Sequence, residues 1–195
     1  MRPVTPCAYA VAKALLPDPF YLAVTADHAD DPARRLAVLG AYVDQAIDEA
    51  PTVGFCTRAE PEEAGAAIWH LPQPPDVAAR ADAAKRGQLA ALLGPRGLAN
   101  YRAIVDFMAP HAMQAVAPQA WYLSIVGIEP SLQGRGLGAR LLAPALARAT
   151  MHGSPCYLET FTPRNLPFYE RLGFRAVAMH REPVTGADYW ILLRP

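Results

Sequence analysis

The run "WYLSIVGI" at 121–128, stopped by Pro130 and followed by "QGRGLG" at 133–138, constrains this chain more than any other stretch. A continuous, largely apolar run ended by proline predicts a strand buried on both faces. The residues from 137 to about 151 then read as a helix, halted by Gly153 and Pro155. Between strand and helix stand Gly134, Gly136 and Gly138. Glycines this dense give up side-chain packing and raise the entropy cost of folding, so bare backbone must be needed there. A helix start presents unpaired N–H groups and the positive end of the helix dipole, and glycine lets an anion reach them. One glycine would be explained by a turn requiring positive φ. Three at this spacing, after a buried strand, favour an anion cradle, with a pyrophosphate as the natural occupant.

Around this unit the sequence spells a mixed α/β sheet. "VGFCTRA" and "GAAIWHL" predict two strands joined across the turn "EPEEAG". Leu36, Leu39, Val43 and Ile47 recur at helical spacing and place a helix at 32–49, after a shorter one at 8–16. Two further helices are expected at 77–93 and 96–108, split by "GPRG". "CYLETF" predicts another buried strand, "NLPFYERL" a short helix capped by Asn165 and ended by Gly173, and 175–180 and 189–193 two closing strands. A single domain spanning 1–195 accommodates these elements. Lys plus Arg and Asp plus Glu are 18 each, so no global field recruits nucleic acid or an anionic membrane. No apolar run reaches the roughly 18 residues of a membrane span. Three widely separated cysteines without a C-x-x-C pair predict a reduced, cytoplasmic protein with neither a disulfide framework nor a metal site.

Two cofactor classes fit a glycine loop. Gly134, Gly136 and Ala139 satisfy G-x-G-x-x-G/A, with Glu159 at the end of the next strand, as in a dinucleotide fingerprint. A fingerprint loop leaves its strand directly, however, whereas "EPSLQ" intervenes here and too little chain follows Gly138 for a second nucleotide-binding half. Counting Gln133 into the motif changes the reading. "QGRGLG" resembles the Q/R-x-x-G-x-G/A signature of the GNAT family of N-acetyltransferases, and "YLETFTPRNLPFYERLGF" at 157–174 resembles that family's next strand and its F-Y-x-x-x-G-F helix. Within the family, "RNLPFYERLGF" and "APH" at 109–111 are most similar to puromycin N-acetyltransferase-like members.

The resemblance implies a mostly antiparallel sheet with a central splayed strand pair, flanked by helices. It implies acetyl-coenzyme A as co-substrate, bound by 119–195, while 1–118 shape the acceptor side. The pyrophosphate would lie on Gln133, Gly134, Arg135, Gly136, Leu137 and Gly138, with Arg135 and Arg140 adding charge, and the pantetheine arm beside Val126, Gly127 and Ile128. Asn165 would contact the coenzyme and Tyr169 would donate to the leaving sulfur. An alkylamine of pKa about 10.4 must also lose a proton before it attacks. Glu159, His70 and His111 are the candidate acceptors, and Tyr122 and Ser124 share a strand face along which a water chain would run. The implied reaction is direct acetyl transfer to a primary amine of a small molecule. Transfer to a peptide or protein N-terminus, and a non-catalytic acyl-coenzyme A sensor or interaction module, stay open, as does a homodimer. The family's usual first strand has no convincing counterpart in "MRPVTPCAYAVAKAL".

Overall fold

A computed structural model describes residues 3–195 of the chain. Six strands, β1 (Gly54–Arg58), β2 (Gly65–His70), β3 (Trp121–Ile128), β4 (Cys156–Thr160), β5 (Arg175–Arg181) and β6 (Asp188–Arg194), form one sheet in the order β1-β2-β3-β4-β6-β5. Every neighbouring pair is antiparallel except β3 and β4. That parallel pair is joined only at Trp121–Cys156 and Tyr122–Tyr157, after which the strands diverge. From Leu123 to Ile128, β3 keeps β2 on one side and has no strand on the other.

Helices cover both faces. On one, α5 (Leu137–Met151) sets Leu141, Leu142, Ala145, Leu146 and Ala149 against Trp121, Leu123, Leu158 and Leu192. On the other, α1 (Pro6–Leu15), α2 (Pro19–Val24), α3 (Pro32–Val53) and α4 (Pro75–Ala115) bury a second core around Leu39, Ile68, Ile104, Ile125 and Ile191. A short α6 (Leu166–Arg171) follows β4. Among the described residues no strand precedes α1, so the first strand typical of the resemblance has no counterpart among them. Its neighbourhood is helical instead: Thr5 caps α1 and Asp18 caps α2 with side-chain bonds to Ala8 and Phe20.

The expected helices are present, α3 and α4 with wider limits. α3 runs on through Pro51 to Val53, and α4 spans both predicted segments and continues through Pro110 to Ala115. "GPRG" does break α4, at Gly94, whose φ is 78°. α2 was not anticipated, because six residues are too few to show a period.

The prediction that β3 is buried on both faces is corrected. Trp121, Leu123 and Ile125 are buried, whereas Tyr122, Ser124 and Val126 are half-buried and face a cavity. Its apolar run reflects a strand with one wall in the core and the other in a pocket. The pairing also jumps from Ile68–Ile125 to Trp69–Leu123, leaving Ser124 as an extra, bulged residue. Tyr122 and Ser124 nonetheless share the half-buried face of β3, and both line the cavity.

Candidate active site

The divergence of β3 from β4 opens a cavity of about 980 Å³. Its floor comes from the two splayed strands, including Tyr122, Ser124, Val126, Tyr157 and Glu159, and its walls from α2, α3 and α4. Asn165 and Tyr169, on the turn and helix after β4, also line it. The sequence-predicted residues on β3, β4 and α6 thus converge on one site.

Glu159 is a strongly perturbed carboxyl there. Its Oε2 accepts the Tyr122 hydroxyl at 3.2 Å, while Oε1 is buried with no hydrogen-bond partner. An unpaired carboxylate oxygen away from water disfavours charge, and burial raises the Glu159 pKa from 4.5 to about 7 against the opposing effect of the Tyr122 bond. His70 moves the other way: burial first, then Lys85, lowers it to about 4. Extracting a proton from an ammonium of pKa about 10.4 costs about 5 kcal/mol with an acceptor near 7 and about 9 kcal/mol with one near 4. The difference selects Glu159 as the better base, although both line the cavity. His111 is not part of the lining. Its Nδ1 lies 2.9 Å from the Phe107 carbonyl and 3.3 Å from the Tyr189 hydroxyl, and its ring stacks on His180.

Tyr169 is buried, and desolvation, followed by Asp18, raises its pKa above the ordinary phenol range. At neutral pH it is a protonated donor at the cavity wall. Asn165 occupies the cap position of α6 but makes no side-chain capping bond, contrary to the predicted role. Its backbone is already helical, at φ −84° and ψ −17°, because a 3₁₀ turn at Pro163–Asn165 runs into α6, and the side chain is left to the cavity. Sequence reasoning missed Asp18. Its carboxylate accepts from Thr162 Oγ1 at 2.9 Å and from the Phe20 N–H at 2.9 Å, tying the α1–α2 connection to the turn after β4. Only its place before Pro19, as a helix cap, signalled it.

The glycine loop lies beyond the open end of β3. Gly134 and Gly136 have φ of 76° and 77°, and nothing stands within 4 Å of where a Cβ would project from either. Gly136 caps α5 without any side-chain bond, so the first amides of a 15-residue helix lack a side-chain cap. Gly138 serves packing, since a Cβ there would come within 3.2 Å of the Phe168 ring. Gln133 braces the loop: its Nε2 donates to the Ile128 carbonyl at 2.9 Å, and its own N–H is taken by Pro130. Arg135 and Arg140 are exposed. Gly127 lets α1 cross β3 closely, a Cβ there lying 3.0 Å from Val11 Cα. An open cradle at the α5 N-terminus and an unpaired strand edge leading from it into the cavity fit a ligand with an anionic end and an extended, amide-bearing arm.

Residues 100–176 match the family model of the acetyltransferase (GNAT) domain. The chain is similar to the N-alpha-acetyltransferase RimI of Mycobacterium tuberculosis, at 29% identity over 155 residues, 75% of this chain and 93% of that protein. A solved histone acetyltransferase HPA2 and related acetyltransferase from Corynebacterium glutamicum superposes with a TM-score of 0.65, at 22% identity, covering 97% of this chain and 88% of the other. A mosquito arylalkylamine N-acetyltransferase like 5b superposes at 0.53, with 14% identity and coverage of 96% and 94%. The fold is the GNAT fold, and the match to the GNAT domain model spans its core from the second part of α4 into β5. It is an acetyl-coenzyme A-dependent N-acetyltransferase. Among the described residues no helix is long and apolar enough to cross a membrane.

Proposed function

We propose that the protein acetylates a primary amine of a small molecule by direct transfer, with 119–195 holding acetyl-coenzyme A and 1–118 shaping the acceptor pocket. The observation that carries this reading is the unpartnered, buried Glu159 oxygen at the point where β3 and β4 separate. When bound, acetyl-coenzyme A supplies an activated thioester. Gly134, Arg135, Gly136, Leu137 and Gly138 present backbone to its pyrophosphate, with Gln133 as the loop's brace, and Val126, Gly127 and Ile128 present the strand edge to its arm. Asn165 adds a polar contact from the wall.

Glu159 binds the acceptor's ammonium, takes one proton on Oε1 and leaves the amine neutral. Tyr122 holds the other carboxylate oxygen and fixes its direction. Tyr169 keeps its proton and offers a hydroxyl hydrogen bond to the departing sulfur. A phenol of raised pKa is a weaker acid than a thiol near 8.5, so this donation stabilises developing charge without a completed early transfer. His70, near pKa 4, shapes the wall and stays neutral.

A second reading is transfer to a peptide or protein N-terminus, favoured by the similarity to RimI. Thiol release from acetyl-coenzyme A, measured across amine antibiotics including puromycin, alkylamines, polyamines, amino acids and peptides, separates the two. On the best acceptor, Tyr169→Phe should lower turnover at least tenfold, within the ~10²–10⁴ span of general acid catalysis, with coenzyme affinity nearly unchanged. Wild-type turnover by the variant, where chemistry limits the rate, would remove Tyr169 from the mechanism.

A further inference from the structure

Asp18 lines the cavity, yet acetyl transfer through Glu159 and Tyr169 leaves its carboxylate without a task. Both of its oxygens are engaged: Oδ1 accepts the Phe20 N–H at 2.9 Å and Oδ2 the Thr162 hydroxyl at 2.9 Å. Burial raises its pKa, and these bonds, that from Thr162 first, oppose the rise. A carboxylate held away from water is tolerated only where such bonds satisfy it, and here one of them reaches across the sheet. On the near side, α1 is seated on β3 by the close approach of Val11 to Gly127 and by the Lys13–Glu129 ion pair. On the far side stands Thr162, just beyond β4, with Phe161 stacked on Phe20 at 6.4 Å beside it. Asp18 therefore joins the two sides of the gap where β3 and β4 no longer bond to each other.

What Asp18 fixes is the turn that carries Tyr169. Thr162 organises that turn with three bonds: its N–H donates to Thr160 Oγ1 at 3.2 Å, its carbonyl accepts the Asn165 N–H at 3.0 Å, and its hydroxyl goes to Asp18. α6 follows directly, with Tyr169 as its fourth residue. Six residues without a side-chain cap are too few for a helix to hold itself by its own ladder, so its place depends on what anchors its ends. At the C-terminal end the Phe174 N–H returns to the Tyr169 carbonyl at 3.1 Å. At the N-terminal end the anchor is the turn at 160–165, and Asp18 ties that turn to another element of the fold. Asp18 is also near enough for its charge to add to the raised pKa of Tyr169.

We infer that Asp18 is a positioning residue of the transferase: through Thr162 it holds the turn at 160–165 and so sets the place of the Tyr169 hydroxyl at the cavity wall. This rests on the proposed role of Tyr169 for its effect on rate, but not for its effect on the turn. The bond matters, not the charge: an asparagine at 18 would accept from Phe20 through Oδ1 and donate from Nδ2 to a Thr162 hydroxyl turned to accept. The test uses full-length protein, acetyl-coenzyme A and the best acceptor from the amine panel, read by thiol release. Thr162→Val keeps the shape and removes the hydroxyl. Its kcat should fall at least tenfold, since misplacing a reacting group by about 1 Å costs up to about 10²-fold, while KM for acetyl-coenzyme A moves less than about threefold. Thr162→Ser and Asp18→Asn, which remake the bond, should recover kcat to within about threefold of wild type. In a Tyr169→Phe background Thr162→Val should cost less than about threefold more, because the group it misplaces is already gone. Amide hydrogen exchange, which needs no acceptor, should run at least about fivefold faster over 163–171 in Thr162→Val, with α5 unchanged and Thr162→Ser matching wild type. Should Thr162→Val not fold, Asp18→Ala breaks the same bond from the other side. A loss undiminished in the Tyr169→Phe background, or an Asp18→Asn as damaging as Thr162→Val, would overturn the inference and leave the transferase intact. Absence of thiol release with every amine would instead sink the transferase reading, and exchange still decides the inference: unchanged rates over 163–171 refute it.

Discussion

Replacing Glu159 by glutamine should make the protein more stable and less active at the same time. The side chain keeps its length, and the amide oxygen can still accept from Tyr122, whose bond to the carboxylate measures 3.2 Å. What changes is the charge. Burial lifts the carboxyl pKa from 4.5 in the unfolded chain to about 7, so the folded protein holds this proton more tightly. Between those values the native state binds more proton than the unfolded one, and stability falls as pH rises. Below pH 4.5 the group contributes no penalty; above 7 the full penalty applies, about 3 kcal/mol at ~1.4 kcal/mol per pH unit. Glutamine never ionises and escapes it. At pH 8 the variant should therefore melt about 6–12 °C higher than wild type, at roughly 2–4 °C per kcal/mol for a chain of this size, with the gap closing toward pH 4. Its kcat/KM should fall about 10²–10⁴-fold, and the wild-type rise through pH 7 should vanish. Calorimetric melts and thiol-release rates from pH 4 to 9 measure both. A melting difference independent of pH would show that Glu159 is not shifted, and unchanged activity would show that another group takes the proton.

Two further outcomes test the coenzyme side. At 100 times its dissociation constant, acetyl-coenzyme A should raise the melting temperature about 5–10 °C, and NAD should not move it; the reverse would favour a dinucleotide loop. Gly127→Ala places a methyl 3.0 Å from Val11 Cα and 3.2 Å from its carbonyl, so α1 must move off β3. Overpacking of this kind costs about 1–3 kcal/mol, which differential scanning calorimetry would register as a melting point lower by a few degrees, and an unchanged melting point would show that α1 yields freely.

The glycine-loop half of the candidate site was legible because it depends on local backbone geometry. Gly134 and Gly136 sit at positive φ in a turn that connects one strand to one helix, and such a turn writes itself into adjacent letters. The helix of "NLPFYERL" was readable for the same reason, with Gly173 ending it at φ 89°. The capping assignment for Asn165 failed where two local signals merged: the preceding 3₁₀ turn had already set the helical backbone, so no extended cap residue was needed. The two-sided burial of β3 failed on chemistry, since Tyr122 and Val126 look the same in sequence whether they face a core or a ligand cavity.

The half of the cavity walled by α2, α3 and α4 left little trace because long-range contacts make it. Asp18 meets Thr162 across 144 positions of sequence, and the α4 break is seated by Asp27, whose Oδ2 accepts the Gly97 N–H at 2.6 Å. Asn100 adds a bond to the Ala23 carbonyl at 2.8 Å, so α2 and the second part of α4 are held as one wall. With no strand ahead of α1 among the described residues, that wall, not an extra sheet edge, determines what reaches Glu159. The wall carries Phe20, Tyr21 and Tyr101, whereas the strand floor carries Glu159 and Tyr122. Changes confined to the wall should therefore alter which amine is accepted while leaving Glu159 and the glycine loop in place, because Glu159 bonds to Tyr122 on β3 and Gln133 to Ile128 at the end of that strand.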